Sequence, residues 1–225
     1  MPNGSFEMRQ AIPINLAFED ELSEAVLGKI LQCCCRRYQI GDRFHGHGSG
    51  FLKKRIKGFN QAARGMPYLI LTDLDTDECA PLKVREWLSV PASPNLIFRI
   101  AVCEVESWIL ADQVNLADFL GVGRENFPVH PDSIRDPKQL LVNLARASRK
   151  RTIRMNLVPK SGSTAKVGPA YNKHLCEFVQ DQWNPLIARS NSPSLEKAVK
   201  AIESFQPVWQ DNAAYGKRKS GELVS

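Results

Sequence analysis

Carboxylates follow apolar runs at three places in this chain. Glu19 closes IPINLAF (12–18), Asp73 and Asp75 follow PYLILT (67–72), and Glu104 and Glu106 follow NLIFRIAVC (95–103). Acidic side chains converging on one edge repel each other and are tolerated when a divalent cation neutralises them. Mg²⁺ takes oxygen ligands and usually keeps waters, so one or two direct carboxylates suffice while others bind through water. Such a site polarises a phosphoryl oxygen and activates a water or hydroxyl. The D-x-D spacing of Asp73 and Asp75 puts both acids on one side of an extended segment. The candidate metal set is therefore Glu19, Asp73, Asp75, Glu104 and Glu106, with Mg²⁺ or Mn²⁺ as the cofactor. Glu104 and Glu106 carry a second reading, in which they hold a basic residue.

The elements that must position these acids alternate. IPINLAF reads as a buried strand, and DELSEAVLGKILQCCCR (20–36) as a helix with Asp20 at its N-cap and apolar residues at helical spacing. Residues 37–42 read as a short strand, HGHGSG (45–50) as a loop, and 51–64 as a basic helix ended by Gly65. PYLILT is a strand, DLDTDECAP a loop, 81–89 a short helix, 95–103 a strand, and 104–121 one helix with Gly121 past its end. The order β-α-β-α-β-α-β-α predicts an α/β fold with a mainly parallel, Rossmann-like sheet flanked by helices. Ligands in such sheets bind outside the carboxyl ends of the strands, where these acids fall.

After about residue 125 the character changes. Pro128, Pro131 and Pro137 punctuate a connecting stretch, and helices are expected over 138–149, 169–182 and 194–204. The chain is thus divided into a catalytic domain over 1–124, a basic helical C-terminal appendage over 125–209, and a disordered tail over 210–225.

The 225 residues carry a net charge of +6, which permits a polyanionic partner. The basic residues that would face nucleic acid are Lys53 and Lys54, the run Arg149, Lys150, Arg151 and Arg154, and Lys160 and Lys166 in the loop VPKSGSTAKVGPAYN. That loop lacks the GxxxxGK[ST] pattern of a P-loop, and no other ATP-binding motif is present. His45 and His47 could assist metal or phosphate binding. Six cysteines without CxxC or histidine ladders exclude a structural zinc site and read as reduced thiols. No apolar run is long enough to span a bilayer, and the start MPNGSFEMRQ lacks the pattern of a secretory signal. A cytoplasmic protein without a membrane partner is expected, with its oligomeric state left open. Trp108 reads as core, and Asp112, four residues on, as a partner behind the acids.

FEDELSE (18–24) after a strand, and Asp73-Leu74-Asp75 after LILT, resemble the first and second motifs of the Toprim fold. EVESWILAD (104–112), VGPAYN (167–172) and SPSL (192–195) resemble segments of a Toprim-like family encoded beside ATPases in prokaryotic defence loci. The likeness runs over about 12–205. It implies a Toprim-like sheet, with Glu19 as catalytic acid/base and Asp73 and Asp75 as metal ligands. The catalytic set would be these three residues, acting in a Mg²⁺-dependent nuclease that cleaves DNA or RNA as the effector of an ATPase partner in anti-phage defence. The glycine usual after the first Glu is Asp20 here. No tyrosine nucleophile is evident, Tyr171 lying in a different kind of segment, which favours hydrolysis by activated water. Two other readings stand beside it. One is a non-catalytic Toprim-like regulator of an ATPase. The other is a haloacid-dehalogenase-type phosphatase with Asp73 as nucleophile, where Asp77 departs from the D-x-D-x-[TV] pattern.

Overall fold

The computed structural model describes residues 10–46 and 48–209. Among the described residues there are four strands, β1 (Ile12–Phe18), β2 (Tyr38–His45), β3 (Tyr68–Asp73) and β4 (Leu96–Ala101). They form one sheet in the order β2-β1-β3-β4, and every pairing is parallel. The α/β class and the parallel sheet follow the sequence expectation. The helices between the strands are α1 (Glu21–Cys33), α2 (Ser49–Ala62) and α3 (Ala80–Trp87).

Alternation along the strands sorts side chains to two faces. Ile12, Ile14, Leu16 and Phe18 of β1, with Leu69, Leu71 and Ile97, pack under α1. Tyr68, Ile70, Phe98 and Ile100 pack on the opposite face under α2 and α3, against Leu52, Ile56, Phe59 and Trp87. The helix after β1 therefore lies on one face and the helix after β3 on the other. The neighbouring carboxyl ends of β1 and β3 are the point where the winding reverses, and chain connections leave a crevice there.

Three parts of the secondary structure depart from expectation. The single helix over 104–121 is two, α4 (Val105–Leu110) and α5 (Gln113–Leu120). Asp112 breaks it by capping α5, its side chain accepting from Asn115 N at 3.3 Å, the local bonding that makes Asp a better cap than interior residue. Gly121 ends α5 at φ 69°, as a left-handed cap favours. The loop 45–50 is shorter than read, since Ser49 already opens α2; His47 lies outside the described residues. After α6 (Pro137–Arg146), the basic run itself folds as α7 (Arg151–Leu157). A four-residue helix, α9 (Pro185–Ala188), precedes α10 (Pro193–Glu203) and follows α8 (Tyr171–Asp181).

The helices after residue 124 share the core of α1 and β1. Leu141, Tyr171, Leu175, Phe178, Trp183 and Ile202 are buried with Leu16, Leu27 and Trp108 in one apolar cluster. No break in packing marks position 124/125, so the C-terminal helices complete one face of the sheet. The expected tail from 210 lies outside the described residues.

Candidate active site

Glu19 leaves β1 one residue beyond Phe18, and Asp73 ends β3, so both stand at the winding reversal. They are joined directly. Asp73 N donates to Glu19 Oε1 at 3.1 Å, and the buried hydroxyl of Thr72 donates to the same oxygen. One carboxylate oxygen takes both bonds. Burial raises the Glu19 pKa, the Thr72 and Asp73 hydrogen bonds draw it back, and the Asp75 carboxylate raises it further.

Asp73 lies at the centre of the acids. Val105 N at the start of α4 donates to its Oδ1 at 2.9 Å. Burial raises its pKa well above the usual carboxylate range, and Glu106, Glu19, Asp20 and Asp75 each push it further in the same direction. A carboxylate in the field of four others calls for positive charge. Asp75 sits on the exposed turn at φ 54°, a left-handed conformation that Asp tolerates better than most residues. Its N–H donates to Cys103 O at 3.0 Å, tying the D-x-D turn to the end of β4.

Two lysines absent from the sequence reading balance part of this charge. Lys83, in the first turn of α3, is buried. Its ammonium donates to Asp73 O and to Leu74 O at 3.3 Å, and pairs with Asp77 at 2.9 Å and Asp75 at 3.7 Å. Asp77, half exposed, is thus an ion-pair partner. Lys138, in the first turn of α6, lies 3.3 Å from Glu106 Oε1 and 3.8 Å from Glu104 Oε2. Glu106 is 2% exposed, and Tyr171 OH donates to its Oε1 at 3.4 Å. Burial lifts Glu106 to about 7, with Lys138 pulling it down and Glu104 pushing it up. Burial likewise raises Glu104. Of the two readings for Glu104 and Glu106, holding a basic residue is the arrangement observed. The sequence held one signal for both lysines: a cation in a first helical turn opposes the helix dipole and needs another reason to be there.

A cavity of about 280 Å³ opens beside the acids, lined by Asp75, Thr76, Glu104, Arg135, Lys138 and Lys166 among others. Of the basic residues named from sequence, Lys166 alone lines it. Gly168 fixes the loop that brings Lys166 there: a Cβ at 168 would stand 2.3 Å from Asn156 O, and Gly168 N donates to Leu157 O at 2.9 Å.

The other basic candidates are placed differently. Lys150 donates to Asp118 O at 2.7 Å and Phe119 O at 3.1 Å, satisfying the C-terminal carbonyls of α5. The Arg154 guanidinium donates to Ser148 O, and Lys53 pairs with Glu86 at 2.6 Å. These three hold the fold's own carbonyls and carboxylate. Arg149 and Arg151 are exposed at the far end of α6, whose 10 residues span roughly 15 Å. Lys54 and Lys160 are exposed on α2 and on the loop after α7. His45 stacks on Phe18 with ring centroids 5.6 Å apart. Asp112 faces away from the acids and accepts from Asn184 N at 2.8 Å. Trp108 is buried as expected, its Nε1 donating to Ser194 Oγ at 2.7 Å.

Among the described residues, no group of three or more His, Cys, Asp or Glu side chains is arranged to hold a metal ion by itself. The donor chemistry nonetheless fits a hard cation bound with several waters. The Asp73 carboxylate accepts from Val105 N, Glu19 Oε1 accepts from Asp73 N, and Asp75 stands on the exposed turn that follows, oxygen donors of the kind such a cation takes. No family model, curated protein or solved structure matches this chain. Among the described residues, no helix is long and apolar enough to cross a membrane.

Proposed function

We propose that the chain is a Mg²⁺- or Mn²⁺-dependent nuclease that hydrolyses DNA or RNA phosphodiesters, with Glu19, Asp73 and Asp75 as its working acids. The observation that carries this reading is the direct Glu19–Asp73 link at the winding reversal, with further carboxylates close to Asp73 and a cavity of mixed charge, lined by Asp75, Glu104, Asp136, Arg135, Lys138 and Lys166, alongside. Asp73 and Asp75 would hold the cation, which when bound polarises a phosphoryl oxygen and lowers the pKa of a water. Glu19 is suited to move a proton: its Oε1 is held by Thr72 and Asp73, and burial favours its protonated form more than in water. Arg135 and Lys166 are the cations of the cavity wall on which phosphate oxygens can rest, Lys138 being paired with Glu104 and Glu106. The resemblance to Toprim-like proteins encoded beside ATPases supports an ATPase partner, a cytoplasmic location and a role in anti-phage defence.

The test is incubation with mixed DNA and RNA at pH 8 with Mg²⁺ or Mn²⁺, with and without the product of a neighbouring ATPase gene. Cleavage by the wild type that is lost in Glu19→Gln and Asp73→Asn, both folded, is expected. Cleavage that persists in folded Asp73→Asn, or in EDTA, overturns the reading.

A further inference from the structure

We propose that Lys138 is a resident cation of the acidic rim, its ammonium group taking the place between Glu104 and Glu106 that a second divalent cation would otherwise fill. The inference rests on the metal-dependent reading above and sharpens it: five carboxylates are present, but the site holds one exchangeable metal ion.

The rim divides into two halves. In one, Glu19 and Asp73 share hydrogen bonds and Asp73 is surrounded by like charge, with its backbone carbonyl taken by Lys83. In the other, Lys138 Nζ stands 3.3 Å from Glu106 and 3.8 Å from Glu104. Two-metal sites set their ions about 3.5–4 Å apart, each neutralising its own carboxylates. Here an ammonium group already lies between the two carboxylates of the second half.

The placement of Lys138 is built into the chain. Asp136 caps α6 by accepting from Gln139 N at 2.7 Å, and Pro137 fixes the first turn. A cation in that turn opposes the helix dipole, so helix stability does not account for it. Tyr171 OH, donating to Glu106 Oε1 at 3.4 Å, holds the buried carboxylate from the other side. Glu104 Oε2 is buried and accepts no hydrogen bond among the described residues, so Lys138 faces it across 3.8 Å as a charge alone. Lys138 is tethered to α6, so its charge does not exchange with solution as a bound metal ion does. Lys138 is thus a positioning residue: it sets one fixed positive charge between Glu104 and Glu106 whether or not metal is bound, and leaves Asp73 as the acid group that recruits an ion.

The experiment counts Mn²⁺ bound per chain by electron paramagnetic resonance and calorimetry at pH 7.5, for wild type, Lys138→Ala, Lys138→Met and Lys138→Arg. One Mn²⁺ in the wild type and in Lys138→Arg is expected, and two in Lys138→Ala and Lys138→Met, the second lost again when Glu106→Gln is added. Lys138→Met keeps the methylene packing if the alanine variant does not fold. A count of two in the wild type, or of one in a folded Lys138→Ala or Lys138→Met, overturns the inference and leaves the nuclease reading standing. No Mn²⁺ bound to the wild type overturns both.

Discussion

Replacing Glu106 by Gln should stabilise the metal-free protein at pH 8 and leave it nearly unchanged at pH 5. Glu106 is 2% exposed, and burial lifts it from an ordinary 4.5 to about 7 despite the nearby Lys138. In the unfolded chain the group loses its proton near its ordinary value, whereas the folded protein keeps it until about 7. Between those values the unfolded state binds fewer protons, so stability falls as pH rises through this window and levels off above it. A rise from 4.5 to about 7 corresponds to roughly 3 kcal/mol at about 1.4 kcal/mol per pH unit. Gln resembles the protonated acid in shape and can accept from Tyr171 and Lys138, so it removes the cost of burying the charge. The roughly 3 kcal/mol is a ceiling, because Lys138 then keeps only Glu104. For a chain of this size it corresponds to about 6–12 °C in Tm. Urea and thermal unfolding in EDTA at pH 5, 6, 7 and 8 would measure it. A variant destabilised by more than about 1 kcal/mol at both pH 5 and pH 8 would refute the reasoning. The Glu106 charge would then be a net structural partner of Lys138.

Divalent cation should raise the wild-type Tm at pH 8, by about 2.7 kcal/mol of stabilisation when it stands at 100 times its Kd. The gain should shrink as pH falls, because burial raises Glu19 and Asp73 and protons compete with the cation for them; differential scanning calorimetry of wild type against Asp73→Asn checks this, with no gain expected in the variant. Lys83→Met keeps the packing over the Trp87 ring but strips the donors from Asp73 O and Leu74 O. It should cost about 1–3 kcal/mol in urea unfolding and loosen the turn that carries Asp75. Gly168→Ala drives a methyl into the Asn156 carbonyl. It should cost about 1–3 kcal/mol and weaken nucleic-acid binding in filter-retention assays, because Lys166 leaves the cavity wall.

The strands and their acidic ends were legible because each rests on a local pattern. A short apolar run stopping at Glu19 or Asp73 carries its own period and its own boundary. Parallel pairing follows from alternation of strands and helices, while the order β2-β1-β3-β4, which sets β1 beside β3, is read from the fold. What the sequence hid is set by contacts across long separations. In the sequence Lys83 and Lys138 show only a first-turn position that opposes the helix dipole; the burial of Lys83 and the ion pairs that both make, seen in the fold, join them to the rim. The partners within the basic run 149–154 were hidden for the same reason. Lys150 finds its carbonyl partners at the end of α5 and Arg154 at Ser148, and a count of positive charge cannot tell a helix cap from a phosphate contact.

The segments after 125 show how the fold joins its halves at the acids. EVESWILAD reaches VGPAYN through the Glu106–Tyr171 bond and reaches SPSL through the Trp108–Ser194 bond. Asp132 strengthens the second junction, accepting from Ser192 Oγ at 2.6 Å and Ser194 N at 2.8 Å. Both bonds start from α4, whose first backbone N–H holds Asp73. The C-terminal helices therefore act on the site through one short helix: they bury Glu106, set Lys138 against it, and fix Val105 N on the central carboxylate. A rim built only from the sheet would carry its acids with neither lysine-to-glutamate pairing nor the buried tyrosine. The electrostatics around Asp73 thus depend on residues distant in sequence from the D-x-D turn.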